Sequence, residues 1–348
     1  MSDREKFSAD ELAIVLSHYD IGVIEAIKEF PRGSRKAPKL LVQTERGEYL
    51  LKRRAKGKDD PFKVAFCHAL QLYLAQKQFP LPHLVGTRKE NNSMLQCMNN
   101  VYELFEYIRG SGYDNSPEAT FDSGRILALY HKLLRDYTPE YEPPIGSYHY
   151  NRQIGGSLDQ IPEVFSRGGR NTPADKKQVS DTLIGLREAY LVAAEKVNTL
   201  GLPEWPLQIV HCDWHPGNML FRNQRVVAVI DYDSARLQQR VIDLANGALQ
   251  FSILGGGDDP AKWPNHVDET RFSKFIRGYD TVDMISVAEL KAIPWLMMEA
   301  MVAESAFHVA ATGSFGRIEG YGFLQMIERK VAWVLANVDR LVKLASHE

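Results

Sequence analysis

The segment Leu207–Asp243, LQIVHCDWHPGNMLFRNQRVVAVIDYDSARLQQRVID, decides how the rest of the chain is read. It opens on a short apolar run, Leu207 to Val210, which predicts a buried strand. The polar loop HCDWHPGN follows. Two further apolar runs, Met219 to Phe221 and Val226 to Ile230, flank Arg222 to Arg225 and predict a hairpin whose second strand ends on Asp231. A loop and a strand end would then bring Asp213, Asn218 and Asp231 together. Asp, Asn, Gly and Pro all favour turns. That alone explains the Pro216-Gly217 pair, but not two acids and an amide arranged around His211 and flanked by strands.

The spacing is that of a kinase catalytic loop and metal loop, H-x-D-x-x-x-x-N followed by a strand and an Asp. The chemistry accounts for the residue types. Phosphoryl transfer needs little covalent help, so the protein supplies position and charge neutralisation. One carboxylate, Asp213, would accept a hydrogen bond from the attacking hydroxyl and orient it. Magnesium prefers hard oxygen ligands and keeps several waters, so one carboxylate and one amide oxygen, Asp231 and Asn218, form a suitable set.

HCDWHPGNML followed by AVIDYDSA resembles the aminoglycoside phosphotransferase, choline kinase and homoserine kinase superfamily. Its catalytic loop is typically H-G-D-x-H-x-x-N and its metal motif I-D-[FWY]-[DE]. His211, Asp213, His215, Asn218, Asp231, Tyr232 and Asp233 match, while Cys212 stands where Gly is usual. The resemblance implies an α+β, protein-kinase-like fold in two lobes. Residues 1–107 would form a small antiparallel-sheet N-lobe with one main helix, and residues 108–348 a large, mostly helical C-lobe. It also implies ATP- and magnesium-dependent transfer to a hydroxyl of a small metabolite, such as an amino alcohol or a homoserine-like, choline-like or aminoglycoside-like acceptor. The motif does not specify which.

Toward the N-terminus, Ser8 to His18 predicts a capped helix, and strands are expected over Ile21 to Phe30, Lys39 to Thr44 and Gly47 to Arg53. The basic loop PRGSRKAP, residues 31 to 38, joins the first two strands. In a kinase N-lobe that loop folds over the ATP phosphates, so Gly33 and Ser34 would offer backbone N–H groups. A solvated hairpin needs no ligand and remains the other reading of this loop. Strand alternation puts Leu50, Lys52 and Arg54 on one face, and the family pattern gives the phosphate role to Lys52, with Arg53 one register slip away. Arg53, Arg54, Lys56 and Lys58 read as a solvated face. A helix follows over Pro61 to Gln78. Related kinases carry a Glu there that pairs with the strand lysine, but no Glu lies between Asp60 and Glu90, so either Asp231 or a water helps hold Lys52 or the grip on nucleotide is looser than usual. His68 reads as a satisfied core or surface residue. Strands at Ser93 to Met98 and Val101 to Tyr107, joined at Asn99-Asn100, lead to the family's hinge. There the backbone of Glu106 and Ile108 would read the adenine edge.

Beyond the hinge, helices are expected over Ser116 to Tyr137, Asp175 to Asn198, Val241 to Leu254, Asp268 to Gly278, Ser286 to Thr312 and Gly322 to Leu344, with an irregular stretch from Thr138 to Arg170. His131 reads as packing, Asp243 as structural, and Glu299, Glu304 and His308 as solvent-facing, with an acceptor site on the middle helix as their other reading. The chain has 348 residues, 44% hydrophobic and 25% charged, with a formal charge of −2. That balance gives no general attraction to nucleic acid or anionic membrane. Cys67, Cys97 and Cys212 are odd in number and lack a C-x-x-C unit, which argues against a disulfide framework or zinc site and for a reducing, cytoplasmic setting. The charged N-terminal MSDREKFSADELAIVL lacks the apolar core of a signal peptide, and no apolar run approaches the roughly 20 residues of a membrane helix. The partners expected are ATP and a small-molecule acceptor, with no nucleic acid and no membrane. A catalytically weak kinase fold serving as a nucleotide-binding scaffold is the competing reading, favoured by the missing helix Glu and by a 31–38 loop that is not G-x-G-x-x-G, and opposed by the intact Asp213, Asn218 and Asp231.

Overall fold

A computed structural model of the chain describes residues 4–167 and 175–346. In chain order it begins α1 (Ala9–Ser17), β1 (Ile24–Glu29), β2 (Lys39–Thr44), β3 (Gly47–Arg53), α2 (Pro61–Gln76), β4 (Leu95–Cys97) and β5 (Asn100–Glu106). Then come α3 (Pro117–Leu134), α4 (Arg152–Arg167), α5 (Lys176–Thr199), β6 (Leu207–Val210), β7 (Met219–Arg222), β8 (Arg225–Val229) and β9 (Arg236–Gln239). The chain continues as α6 (Arg240–Ser252), α7 (Glu269–Asp280), α8 (Val287–Thr312), β10 (Ser314–Phe315), β11 (Ile318–Glu319), α9 (Gly320–Ala336) and α10 (Val338–Ser346). The fold is α+β and protein-kinase-like. Two compact units divide it: Met1–Tyr113 with Asp136–Pro143 and Asn218–Ala235, and Asp114–Arg135 with Pro144–Gly217 and Arg236–Glu348.

The first unit is built on a five-stranded antiparallel sheet in the order β1-β2-β3-β5-β4. Alternation sorts its side chains. Leu40, Val42, Leu51, Tyr102 and Leu104 face one way and pack with Val15 and Leu16 of α1 into a single cluster. The capping box of Ser8 and Glu11 starts α1, and Glu11 also accepts from Arg53 Nη1 at 2.7 Å and Tyr102 Oη at 2.8 Å. The opposite face carries a polar row. The register pairs Lys39 with Lys52 and Lys52 with Glu103, so three neighbouring strands present them side by side. The β7–β8 hairpin belongs to this unit, tied to it by Val229 N–H on the Pro80 carbonyl and by paired bonds between Ser111 and Phe221.

The second unit is mostly helical, with α8 at its centre. Leu296, Met297, Met298, Ala300 and Val302 on that helix are fully buried. Two glycines let α3 and α7 meet backbone to backbone. A Cβ on Gly124 would stand 2.0 Å from the Phe275 carbonyl oxygen, and one on Gly278 would stand 1.9 Å from that of Phe121. Among the described residues, no helix is long and apolar enough to cross a membrane.

Two expectations needed correction. The stretch from Thr138, expected to be irregular, holds α4, whose Ile154, Leu158, Ile161 and Phe165 form a buried stripe at helical spacing. Gly155, Gly156 and Pro162 hide that stripe from a propensity reading, but burial of the stripe outweighs them. Residues 168–170 of the same expectation lie outside the described residues. The single helix expected from Gly322 to Leu344 is broken at Asn337, where φ is −121° and ψ 17°, and continues as α10. Apart from these, RLQQ has little strand character, yet β9 pairs antiparallel with β6, Val210 opposite Arg236.

Substituting Gly278→Ala should force α3 and α7 apart and lower stability by about 1–3 kcal/mol, as overpacking typically does. Thermal unfolding checks this, and an unchanged Tm would mean that the helices separate without cost.

Candidate active site

In the first unit the site is organised by one carboxylate. Glu103, in the middle of β5, has a side chain only 2% exposed, and its Oε2 lies 3.1 Å from Lys52 Nζ. Its Oε1 accepts from Arg54 Nη1 at 2.5 Å and sits 2.8 Å from His68 Nε2. The other ring nitrogen of His68 is 2.9 Å from Ser93 Oγ, so this histidine is a satisfied core residue, as expected. Burial alone would push the Glu103 carboxyl up. Lys52, His68 and Arg54 outweigh that and hold it well below the usual carboxylate range. Burial likewise pulls the Lys52 ammonium down, but Glu103 and then Asp233 reverse this and raise its pKa.

Lys52 is therefore paired with Glu103, and Asp231 adds only a weaker attraction of charge. Arg54 also departs from its expected solvated position. It is 6% exposed and joins Glu103 to Asp233, whose Oδ1 it reaches at 2.6 Å. Lys56 and Lys58 are exposed, as expected. The signal for Glu103 was present in the sequence. A lone acid at the centre of the apolar run VYELF must be buried, and a buried acid requires cationic partners.

Lys39 is a second residue that the sequence reading missed. It neighbours Lys52 across the sheet, and burial together with the like charge of Lys52 lowers its pKa. Its amine lies beneath the 31–38 loop: a Cβ on Gly33 would stand 2.8 Å from Lys39 Nζ. Gly33 occupies φ 85°, which suits glycine, and Ser34 Oγ accepts the Lys36 N–H at 3.2 Å to close a tight turn. At the end of β5 the Glu106 N–H donates to the His83 carbonyl at 2.9 Å, and Ile108 follows two residues on, half-buried.

The hairpin brings Asn218 and Asp231 to one end. Met219 pairs with Val229, and the Ile230 N–H donates to the Asn218 carbonyl at 2.9 Å. Asn218 is 7% exposed, while Asp231 is exposed at φ 65°, a left-handed conformation that Asp tolerates better than most residues. One amide oxygen and one carboxylate are hard donors that fit magnesium, leaving room for waters and phosphate oxygens. Tyr232 between Asp231 and Asp233 is buried, and its carbonyl accepts from Cys67 Sγ at 3.4 Å. Burial and Asp233 push that thiol up to about 12, so it stays a donor.

In the second unit the loop HCDWHPG is pinned by Asp243. Its Oδ2 accepts the His211 N–H at 2.8 Å and its Oδ1 the Cys212 N–H at 3.0 Å. His131 Nε2 lies 3.1 Å from the same Oδ2, and His131 Nδ1 lies 2.8 Å from Tyr279 Oη. Asp243 is thus structural, as expected, and His131 is a buried link in its support as well as a packing residue. Cys212 sits at φ 61°, which explains why glycine is usual there; a side chain in that conformation costs about 1–2 kcal/mol. Trp214 is fully buried, edge-on to His211 at 5.3 Å. Asp213 itself projects outward, its side chain 41% exposed, with Oδ1 3.6 Å from His215 Nε2. The Gly217 N–H donates to His215 Nδ1 at 3.0 Å and sets that ring.

Nearby on α8, Glu304 accepts from Gln250 Nε2 at 3.1 and 3.2 Å. Burial raises its pKa, and the charge of Asp213 raises it further. Glu299 was expected to face solvent but is fully buried, 2.9 Å from His149 Nδ1. His308 is exposed, as expected.

The structure gathers Lys52, Asn218, Asp231 and Asp233 with Gly33, Ser34, Glu106 and Ile108 in the first unit, and His211, Asp213 and His215 in the second. The chain passes from the second unit into the first between Gly217 and Asn218.

A family model described as APH, phosphotransferase enzyme family, matches residues 26–283. The chain is 24% identical over 291 residues to the homoserine kinase of Rhodospirillum rubrum, covering 83% of this chain and 81% of that protein. Among solved structures it is similar to an aminoglycoside phosphotransferase from Alicyclobacillus acidocaldarius, with a TM-score of 0.66, 15% identity and 96% of each chain covered. It is also similar to a microcompartment-associated aminopropanol kinase, with a TM-score of 0.68, 14% identity and coverage of 96% of this chain and 98% of that one.

Replacing Asp243→Asn places an N–H against one of the two backbone donors it now accepts. Stability should fall by about 1–3 kcal/mol, the cost of a buried donor left unmet. Urea unfolding reads this directly, and an unaltered midpoint would remove Asp243 from the role of loop anchor.

Proposed function

Because the chain belongs to the APH phosphotransferase enzyme family, we propose that it transfers the γ-phosphoryl group of ATP, with magnesium, to a hydroxyl of a small amino-bearing metabolite. The observation that carries this reading is the first unit's pairing of a lysine fixed by a buried carboxylate with an amide and a carboxylate at one hairpin end. Lys52 binds nucleotide phosphates. Gly33 and Ser34 offer backbone N–H groups from the loop above Lys39, and the Glu106 carbonyl and Ile108 N–H meet the adenine edge. Asn218 and Asp231 would hold magnesium, which when bound supplies charge neutralisation on the phosphates. Asp213 accepts the acceptor's hydroxyl proton as the new oxygen–phosphorus bond forms, the bond to the β-phosphate oxygen breaks and ADP leaves. His215 orients the Asp213 carboxylate, and Asp233 receives Arg54.

The scaffold reading loses one of the two features that favoured it, since Glu103 offers Lys52 the carboxylate missing from the helix. For the acceptor, the named relatives support a small molecule with both a hydroxyl and an amine, homoserine-like or an amino alcohol. Glu304 adds to this: a carboxylate within electrostatic range of Asp213 is relieved by a cationic substrate group. A cytoplasmic setting goes with the three free thiols.

The test is ADP release with Mg-ATP against homoserine, aminopropanol, choline and an aminoglycoside, followed by ³¹P NMR of the product. One amino-bearing acceptor should yield a phosphomonoester, and Asp213→Asn should lower kcat by roughly 10²–10⁴-fold with nucleotide affinity preserved. Full activity in that variant would contradict the assignment.

A further inference from the structure

The family's helix-to-strand ion pair has a different partner in this chain, and the geometry points to Glu103 as the positioning residue for Lys52, a carboxylate relocated from the helix to the neighbouring strand. This rests on the reading of Lys52 as a phosphate-binding residue. The helix that would carry the acid, α2, contains no Glu or Asp over Pro61–Gln76. The residue it places against the site is His68, which is 1% exposed and touches the carboxylate of Glu103 itself at 2.8 Å.

Strand register explains why the relocated acid works. Lys52 and Glu103 are direct partners across β3 and β5, so the backbone ladder fixes their separation and the ion pair at 3.1 Å needs no movement of α2 to form. The same carboxylate holds Arg54, which holds Asp233, two residues from Asp231. One buried anion thereby sets both the lysine and the turn bearing the metal-binding Asp. Kinases whose acid rides on a helix can break the pair by moving that helix. Here the pair is built into the sheet, and Lys52 is aligned before nucleotide arrives.

The experiment is calorimetric titration of Mg-AMP-PNP, which needs no acceptor, into wild type, Glu103→Asp, Lys52→Met, the Lys52→Met/Glu103→Asp double variant and the exchanged pair His68→Glu/Glu103→His. Glu103→Asp keeps the buried charge, and with it the fold, but withdraws the carboxylate. It should weaken nucleotide binding about fivefold or more. In the Lys52→Met background the same change should cost markedly less, because only the path through Arg54 and Asp233 remains. The exchanged pair, returning the acid to the helix, should recover most of the affinity. Equal binding by Glu103→Asp and wild type overturns the inference, and so does an equal further loss in the Lys52→Met background, which would mark Glu103 as a purely structural residue. If wild type does not bind the nucleotide, the kinase reading itself falls and the inference with it.

Discussion

A single buried carboxylate, Glu103, sets the geometry of the first unit's polar face. Isolated, an ionised acid in that position would be prohibitive. Surrounded by Lys52, Arg54 and His68 it becomes a fixed anion whose neighbours are fixed in turn. Removing one member of such a cluster leaves the others buried without compensation, a larger loss than the pairing itself gains. That asymmetry gives the arrangement its rigidity. Lys39, buried in the same row beside the like charge of Lys52, has a lowered pKa.

The second unit solves a parallel problem with Asp243. A loop that projects Asp213 outward must leave the backbone N–H groups of His211 and Cys212 inside, and one carboxylate takes both. His131 and Tyr279 continue the chain of contacts into the helical core. Cys212 and Asp231, in the two motif turns, both occupy left-handed backbone, as do Met98 and Tyr150 elsewhere. Such conformations persist only where surrounding contacts over-determine them. Asp243 and Gln238 do this at Cys212, and the Cys67 bond to the Tyr232 carbonyl does it beside Asp231.

Much of this was legible in the sequence because the motif residues are local. The strand–loop–hairpin of Leu207–Asp243 carries its own periodicity, and the spacing of Asp213, Asn218 and Asp231 survives without knowledge of the rest. The β3 alternation placed Lys52 and Arg54 on one face for the same reason. What stayed hidden depends on contacts between distant segments. Glu103 lies 51 positions beyond Lys52 and becomes its partner only through strand register. Arg54 reads as one of four surface cations until Asp233 and Glu103 fold against it. In α4, burial of four apolar side chains overrides two glycines and a proline, so composition pointed the wrong way. The kink at Asn337 leaves the apolar period intact on both sides and is silent in sequence.

In the proposed reaction, phosphoryl transfer is a single displacement in which Asp213 orients the acceptor and no side chain takes up phosphate. Stereochemistry at phosphorus tests this most directly. With a nucleotide made isotopically chiral at its γ-phosphoryl group, in-line transfer to the acceptor hydroxyl predicts inversion of configuration in the phosphomonoester product. Retention would require two displacements through a covalent phosphoenzyme, and would contradict the role given to Asp213.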